Sequence, residues 1–249
     1  MAEFADADLR GSRFSRVDLS GSRFAEVVLT GAVLRGVELV DVEIDGYLQH
    51  LVVNGVDVVP LVEAELDRRD PDRALLRPTD PAGFRAAWDV VERRWAATVE
   101  RARRLDPAQL HESVDGEWSF VETLRHLVYA TDAWVRRAVQ GDPAPWHPWG
   151  LPADGLPGDP GASRDPAVRP SLDEVLAVRR ERMAGVRALV DGLTAESLAA
   201  DTEPVAASGG WPPPVSHRVA DCLRVVLDEE WEHRRFAERD LTVLESRPQ

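Results

Sequence analysis

From Phe4 to Ile44 a large apolar side chain returns at every fifth residue: Phe4, Leu9, Phe14, Leu19, Phe24, Leu29, Leu34, Leu39 and Ile44. Two residues before each stands a small or medium one: Ala2, Ala7, Ser12, Val17, Ser22, Val27, Ala32, Val37 and Val42. An α-helix repeats at about 3.6 residues and a strand at about 2, so neither accommodates this spacing. A fixed repeat outside both periods implies a stacked solenoid, whose turns pack on one another.

The repeat occupies a small part of a chain of 249 residues, long enough for one large domain or a domain with a small module. Hydrophobic residues make up 44%, so a sizeable core is expected. The net charge of −14 argues against nucleic-acid binding, which needs clustered cations, and against docking on an anionic membrane. All basic side chains other than histidine are arginines, which fits a GC-rich genome of the actinobacterial kind. Cys222 is the single cysteine, so no internal disulfide can form. The acidic start, Met-Ala-Glu-Phe-Ala-Asp, has no apolar signal core, and no apolar run approaches the ~20 residues of a membrane span. These features lead to the expectation of a cytoplasmic protein.

Ala7-Asp8-Leu9 and Val17-Asp18-Leu19 resemble the pentapeptide-repeat family, and the resemblance covers residues 1 to about 46. It implies a right-handed, four-sided β-helix in which the large residue and the one two before it point inward. Four faces of five residues make a coil of about 20, so only about two coils are present. So short a stack buries little and needs a cap. Residues 47–60 then read as a β-hairpin, because Asn54-Gly55 between apolar runs is a strong turn signal. Leu61 to Arg69 suggests a short helix, with a linker near Asp70-Pro71. The expected division is therefore a stub plus hairpin (1–60), a short helix and linker (61–79), and a helical domain (80–249).

Four long helical patterns fill that domain. The first runs from Pro81 to about Leu105, with Asp80 as N-cap and proline at the first helical position. The second, Ser119 to Gln140, opens with the capping box Ser119-Phe-Val-Glu122; the third, Ser171 to Leu193, opens with Ser171-Leu-Asp-Glu174. The fourth runs from about Ser216 to Leu244. Pro- and Gly-rich stretches at 141–170 and Ser208–Pro214 separate them, so a four-helix bundle with long loops over one end is expected.

Polar groups interrupt the apolar stripe of the last pattern. Val219, Cys222, Val226, Glu229, His233 and Phe236 fall on one face, because a helix turns about 100° per residue. A carboxylate and an imidazole at i, i+4 on such a stripe are costly to bury unpaired. Either they hydrogen-bond to each other, or a metal ion joins them. Of the six histidines, only His126 lies mid-helix on another long element, on a stripe with the small residues Ser119, Thr123, Ala130 and Ala133. A boundary histidine half in water is the ordinary alternative there. Glu230 and Glu232 read as surface charges and Asp240 as solvated or salt-bridged; Arg234 and Arg235 are placed to orient an anionic substrate, with surface pairing to nearby acids the plainer reading. Trp88, Trp95, Trp118 and Trp134 read as core, and Trp231 as packing on the N-terminal module or on an oligomer contact.

Arg125-His126-Leu-Val-Tyr-Ala-Thr-Asp-Ala-Trp134 and Glu229-Glu-Trp-Glu-His233 resemble the two metal motifs of the DinB-like family, over about residues 80–245. These are four-helix bundles that include bacillithiol- and mycothiol-dependent S-transferases. Many members carry a His-x-x-x-His pair on the last helix; the mycothiol-dependent maleylpyruvate isomerases carry Glu-x-x-x-His, as here. The resemblance implies that His126, Glu229 and His233 bind a divalent metal: zinc, with nickel or iron also compatible. It implies a low-molecular-weight thiol such as mycothiol as cosubstrate, an electrophilic small molecule as its target, and a bundle class that often forms homodimers. Thr123, Ala130, His147, Trp149 and Cys222 are candidates to line the pocket, although loop packing for His147 and Trp149 and a structural role for Cys222 are the plainer readings. Two non-enzymatic functions stand beside this one: a metal-binding stress or interaction protein without catalysis, and a DNA-mimicking stack, for which two coils are too short.

Overall fold

The structure, a computed structural model, describes residues 3–25, 27–153, 161–165, 167–205 and 210–247. Ala2 of the small-residue series, part of the 141–170 stretch and Ser208 of the later one lie outside these residues. The chain divides into two compact units, Met1–Leu48 and Gln49–Gln249.

In the first unit the five-residue period is written into the backbone. A residue with positive φ stands two places after a large apolar one, at Asp6, Gly11, Arg16, Gly21, Gly31, Gly36, Asp41 and Gly46. Glycine serves most of these corners because it meets no steric penalty there. The corners at Gly11, Gly21 and Gly31 are closed turns: Ser12 N donates to the Leu9 carbonyl at 3.1 Å, Ser22 N to Leu19 at 3.0 Å and Ala32 N to Leu29 at 3.0 Å. The inward packing expected of a β-helix is not present. No strand forms among the described residues of this unit, and Phe4, Phe14 and Phe24 are 68%, 63% and 63% exposed. The physical reason lies in the length: a coil gains its burial from neighbours above and below, and about two coils supply few of them.

The second unit opens with the hairpin. Strands β1 (Val52–Val53) and β2 (Val56–Asp57) pair antiparallel, Val52 opposite Asp57 and Val53 opposite Val56. Asn54 and Gly55 turn the chain with φ of 49° and 85°, as a tight two-residue loop requires. Helix α1 (Val59–Arg69) follows, then the single turn α2 (Asp72–Leu75).

The bundle consists of α3 (Pro81–Ala102), α4 (Phe120–Thr131), α5 (Leu172–Asp191) and α7 (Val219–Ser246), with the short α6 (Ala195–Ala199) before the last. Asp80 caps α3 by accepting from Gly83 N at 2.8 Å. Both expected capping boxes close, at Ser119–Glu122 and Ser171–Glu174. Helix α4 continues as a π-helical segment, Asp132–Val139. Helix α7 starts three residues later than its pattern suggests. Ser216 Oγ instead donates to the Thr202 carbonyl at 2.7 Å, and Thr202 N to the His217 carbonyl at 2.7 Å, so residues 216–217 pair with the preceding chain. Helices α3 and α4 both pack on α5 and α7. Phe84, Trp88 and Trp95 of α3, Leu124 and Leu127 of α4, Val175 and Val186 of α5, and Leu223, Leu227 and Leu241 of α7 form the core. No helix among the described residues is long and apolar enough to cross a membrane.

Two ion pairs sit inside the bundle and correct the surface reading of Glu230. Its carboxylate is 1% exposed and accepts two bonds from Arg179, at 2.8 and 2.9 Å. Asp132, equally buried, accepts from Arg182 Nε at 2.6 Å and from His147 N at 3.0 Å. Trp231 is also corrected: it packs against the bundle core with Arg94 and Arg234 over its ring. Asp240 is buried too, 8% exposed, with Arg239 as its partner, whereas Arg235 pairs with Glu232 at the surface.

Candidate metal centre

The middle of the buried stripe on α7 runs through Leu223, Leu227, Glu230, Ala237, Leu241 and Leu244. Glu229 and His233 therefore lie at its edge, not its centre. Their side chains are 29% and 18% exposed, and both reach His126 of α4, which is 6% exposed. His126 Nε2 stands 3.1 Å from Glu229 Oε2, and His233 Nε2 stands 3.0 Å from the same oxygen. One donor atom from each of the three lies within 4.8 Å of the others.

The other ring nitrogen of His126 decides what this cluster can hold. Nδ1 lies 2.9 Å from the Leu151 carbonyl, which can only accept, so Nδ1 carries a proton. In the neutral ring Nε2 then turns a lone pair toward a carboxylate oxygen. Such a pair is repulsive unless a cation, a proton or a metal, lies between. An imidazole braced through its far nitrogen on a carbonyl is the arrangement of a metal-ligating histidine. Two imidazole nitrogens and one carboxylate oxygen suit zinc and neighbouring divalent metals, and leave positions open, unlike a closed four-ligand structural site. Burial alone would raise the Glu229 carboxyl. With a proton on the facing nitrogens, the hydrogen bonds and charges of His126 and His233 outweigh burial and lower it well below the usual carboxylate range.

Aromatic rings border the cluster. Trp118, half-buried just before α4, lies 4.6 Å from His126 and 5.8 Å from His233 between ring centroids, so it belongs to the site's edge as well as to packing. Phe236 meets His233 edge-on at 6.0 Å, and Tyr129 lies 6.2 Å from His126 and stacks on Trp146 at 5.1 Å. Nothing in the sequence marks the Leu151 carbonyl, and Trp118 carries only the weak signal of adjoining a capping box.

The other pocket candidates fare differently. Thr123 and Ala130, a turn either side of His126, are buried. Cys222 is also buried, and desolvation followed by the charge of Asp221 pushes its thiol up to about 11, so it is no thiolate nucleophile at neutral pH. His147 and Trp149 are engaged within their own loop: His147 Nδ1 accepts from Trp149 N at 3.1 Å, and their rings meet edge-on at 5.2 Å. Two surface grooves, of about 390 and 320 Å³, are lined by Arg101, Arg104, Leu105 and Glu245 and by residues around Asp80 and Arg224. Neither contains a member of the cluster. We place the site by its donor chemistry, because concavity alone supplies no ligand atoms.

Comparison with known families agrees with both halves of the chain. The pentapeptide-repeat profile matches eight copies across residues 2–42. Searches of curated proteins and of solved structures find no match. The DinB superfamily profile matches residues 90–237, which include all three cluster residues, and the chain belongs to that superfamily.

Proposed function

We propose that the protein is a metal-dependent enzyme of the thiol S-transferase type, with His126, Glu229 and His233 as ligands to a divalent metal, zinc in the first instance. The observation that carries this is the convergence of three donor atoms around one point, with His126 braced from behind by the Leu151 carbonyl. A divalent metal held by these three residues would lower the pKa of a bound thiol or water and so supply a nucleophile at neutral pH. Glu229 contributes a fixed negative charge that offsets part of the metal's charge. The Leu151 carbonyl holds the His126 ring in one orientation. Trp118 and Phe236 border the cluster with apolar ring surface. A low-molecular-weight thiol such as mycothiol is the proposed cosubstrate, and an electrophilic small molecule its target.

Elemental mass spectrometry of the parent and of His233→Ala tests the reading. About one metal per chain in the parent, lost in the variant, is expected. Adding mycothiol to the cobalt-substituted parent is then expected to change the visible spectrum. A parent that takes up neither zinc, nickel nor iron sinks the proposal. A second reading is metal binding by the same three residues without catalysis. A cobalt spectrum that no thiol perturbs would favour it.

A further inference from the structure

Arg125 directly precedes His126 and is 1% exposed. Among the described residues its guanidinium has no carboxylate partner. It is satisfied by main-chain carbonyls instead: Nε donates to Trp149 at 2.9 Å, Nη1 to Val168 at 2.8 Å and Nη2 to Ser163 at 2.9 Å. A buried charge left short of acceptors is expensive, so these three carbonyls are held where the fork needs them. The constraint passes straight to the metal cluster. Leu151, two residues after Trp149, donates its N–H to the Arg125 carbonyl at 3.2 Å and accepts from His126 Nδ1 at 2.9 Å. Ser163 N closes the arrangement on the Gly150 carbonyl at 3.1 Å. Gly150 itself leaves no slack: a Cβ there would stand 3.1 Å from the His147 carbonyl and 3.5 Å from Tyr129 Cβ.

We propose that Arg125 is a positioning residue of the metal site. It acts through the Trp149–Leu151 backbone to fix the Leu151 carbonyl, and through that carbonyl the ring and proton of His126. The inference rests on the ligand reading above. Arginine is required for its geometry: a planar fork with fixed N–H directions can grip three carbonyls at once, and a lysine ammonium on a flexible stem cannot. A role confined to packing would leave metal affinity and the His126 proton untouched.

The test compares Arg125→Lys with Arg137→Lys. Arg137 is an equally buried arginine of the following π segment that also holds main-chain carbonyls, those of Pro212 and Pro143. Zinc affinity is measured by competition with a chromophoric chelator. In the metal-free proteins, exchange of the Leu151 amide and of the His126 Nδ1 proton is followed by NMR. Arg125→Lys is expected to bind zinc about 10–100-fold more weakly and to exchange both protons faster. Arg137→Lys is expected to leave all three readouts at parent values. If Arg125→Lys does not fold, Gly150→Ala displaces the same backbone without touching the guanidinium, and a loss of zinc affinity in the same direction is expected. Unchanged affinity in the folded Arg125→Lys or Gly150→Ala protein overturns the positioning role and leaves the ligand reading standing. Faster exchange in Arg125→Lys with unchanged affinity does the same. A parent that binds no zinc overturns both.

Discussion

Glu230 lies one residue from Glu229, and about 100° of helix rotation separates their surroundings. Glu229 stops at the edge of the buried stripe, where His126 and His233 meet it. Glu230 turns into the bundle and takes both oxygens to Arg179, whose guanidinium lies over Trp95 at 5.3 Å. Removing one partner of a buried pair strands the other, so Glu230→Ala is expected to destabilise the protein by about 3–5 kcal/mol in urea denaturation. The double variant Arg179→Met, Glu230→Leu is expected to recover most of that loss, because no charge is then left buried. A single-variant loss within about 0.5 kcal/mol would instead mark Glu230 as a surface group. The i, i+4 spacing singles out Glu229 and His233 as candidates, and the fold brings both to His126. Which of four nearby acids would be buried was not legible, because a helix has several candidate faces and only its packing partners choose among them.

Among the elements, those with local chemical signatures were the legible ones. Asn54-Gly55 marks its hairpin because few other residues accept φ > 0 at both turn positions. Ser119 and Ser171 mark helix starts because hydroxyl and carboxylate close a ring with the backbone two or three residues away. The box at α4 also holds Trp118 against the cluster, since that residue immediately precedes the cap. Ser119→Ala is expected to cost about 1 kcal/mol in thermal or urea unfolding. A neutral effect would show that packing of Phe120 and Val121 alone sets the start of α4. The start of α7 falls at Val219 rather than near Ser216, because the Ser216 hydroxyl serves the Thr202 carbonyl of the preceding chain. Helix α6 is not legible in the sequence although Thr194 and Ser197 form a capping box, because its five residues carry no periodic apolar pattern.

At the scale of the molecule, every buried apolar residue among those described lies between Leu76 and Leu244. The second unit therefore holds its own core, and a chain lacking residues 1–48 is expected to unfold at the parent temperature and to bind zinc with parent affinity. An aggregated or metal-free product would show that the first unit is integral to the bundle. The sequence by itself determined the quantities that local chemistry writes: the five-residue period, which the backbone repeats as corners from Asp6 to Gly46, the four long helices, and three candidate ligands on two of them. Tertiary structure alone decided that the pentapeptide side chains stay exposed, that Glu230 and Asp132 are buried against arginines, and that a main-chain carbonyl from a loop braces His126. The physical reason is range. Turn, cap and period depend on atoms a few residues apart, whereas burial and the Leu151 bond depend on where distant segments come to rest, and a carbonyl has no residue type to announce it.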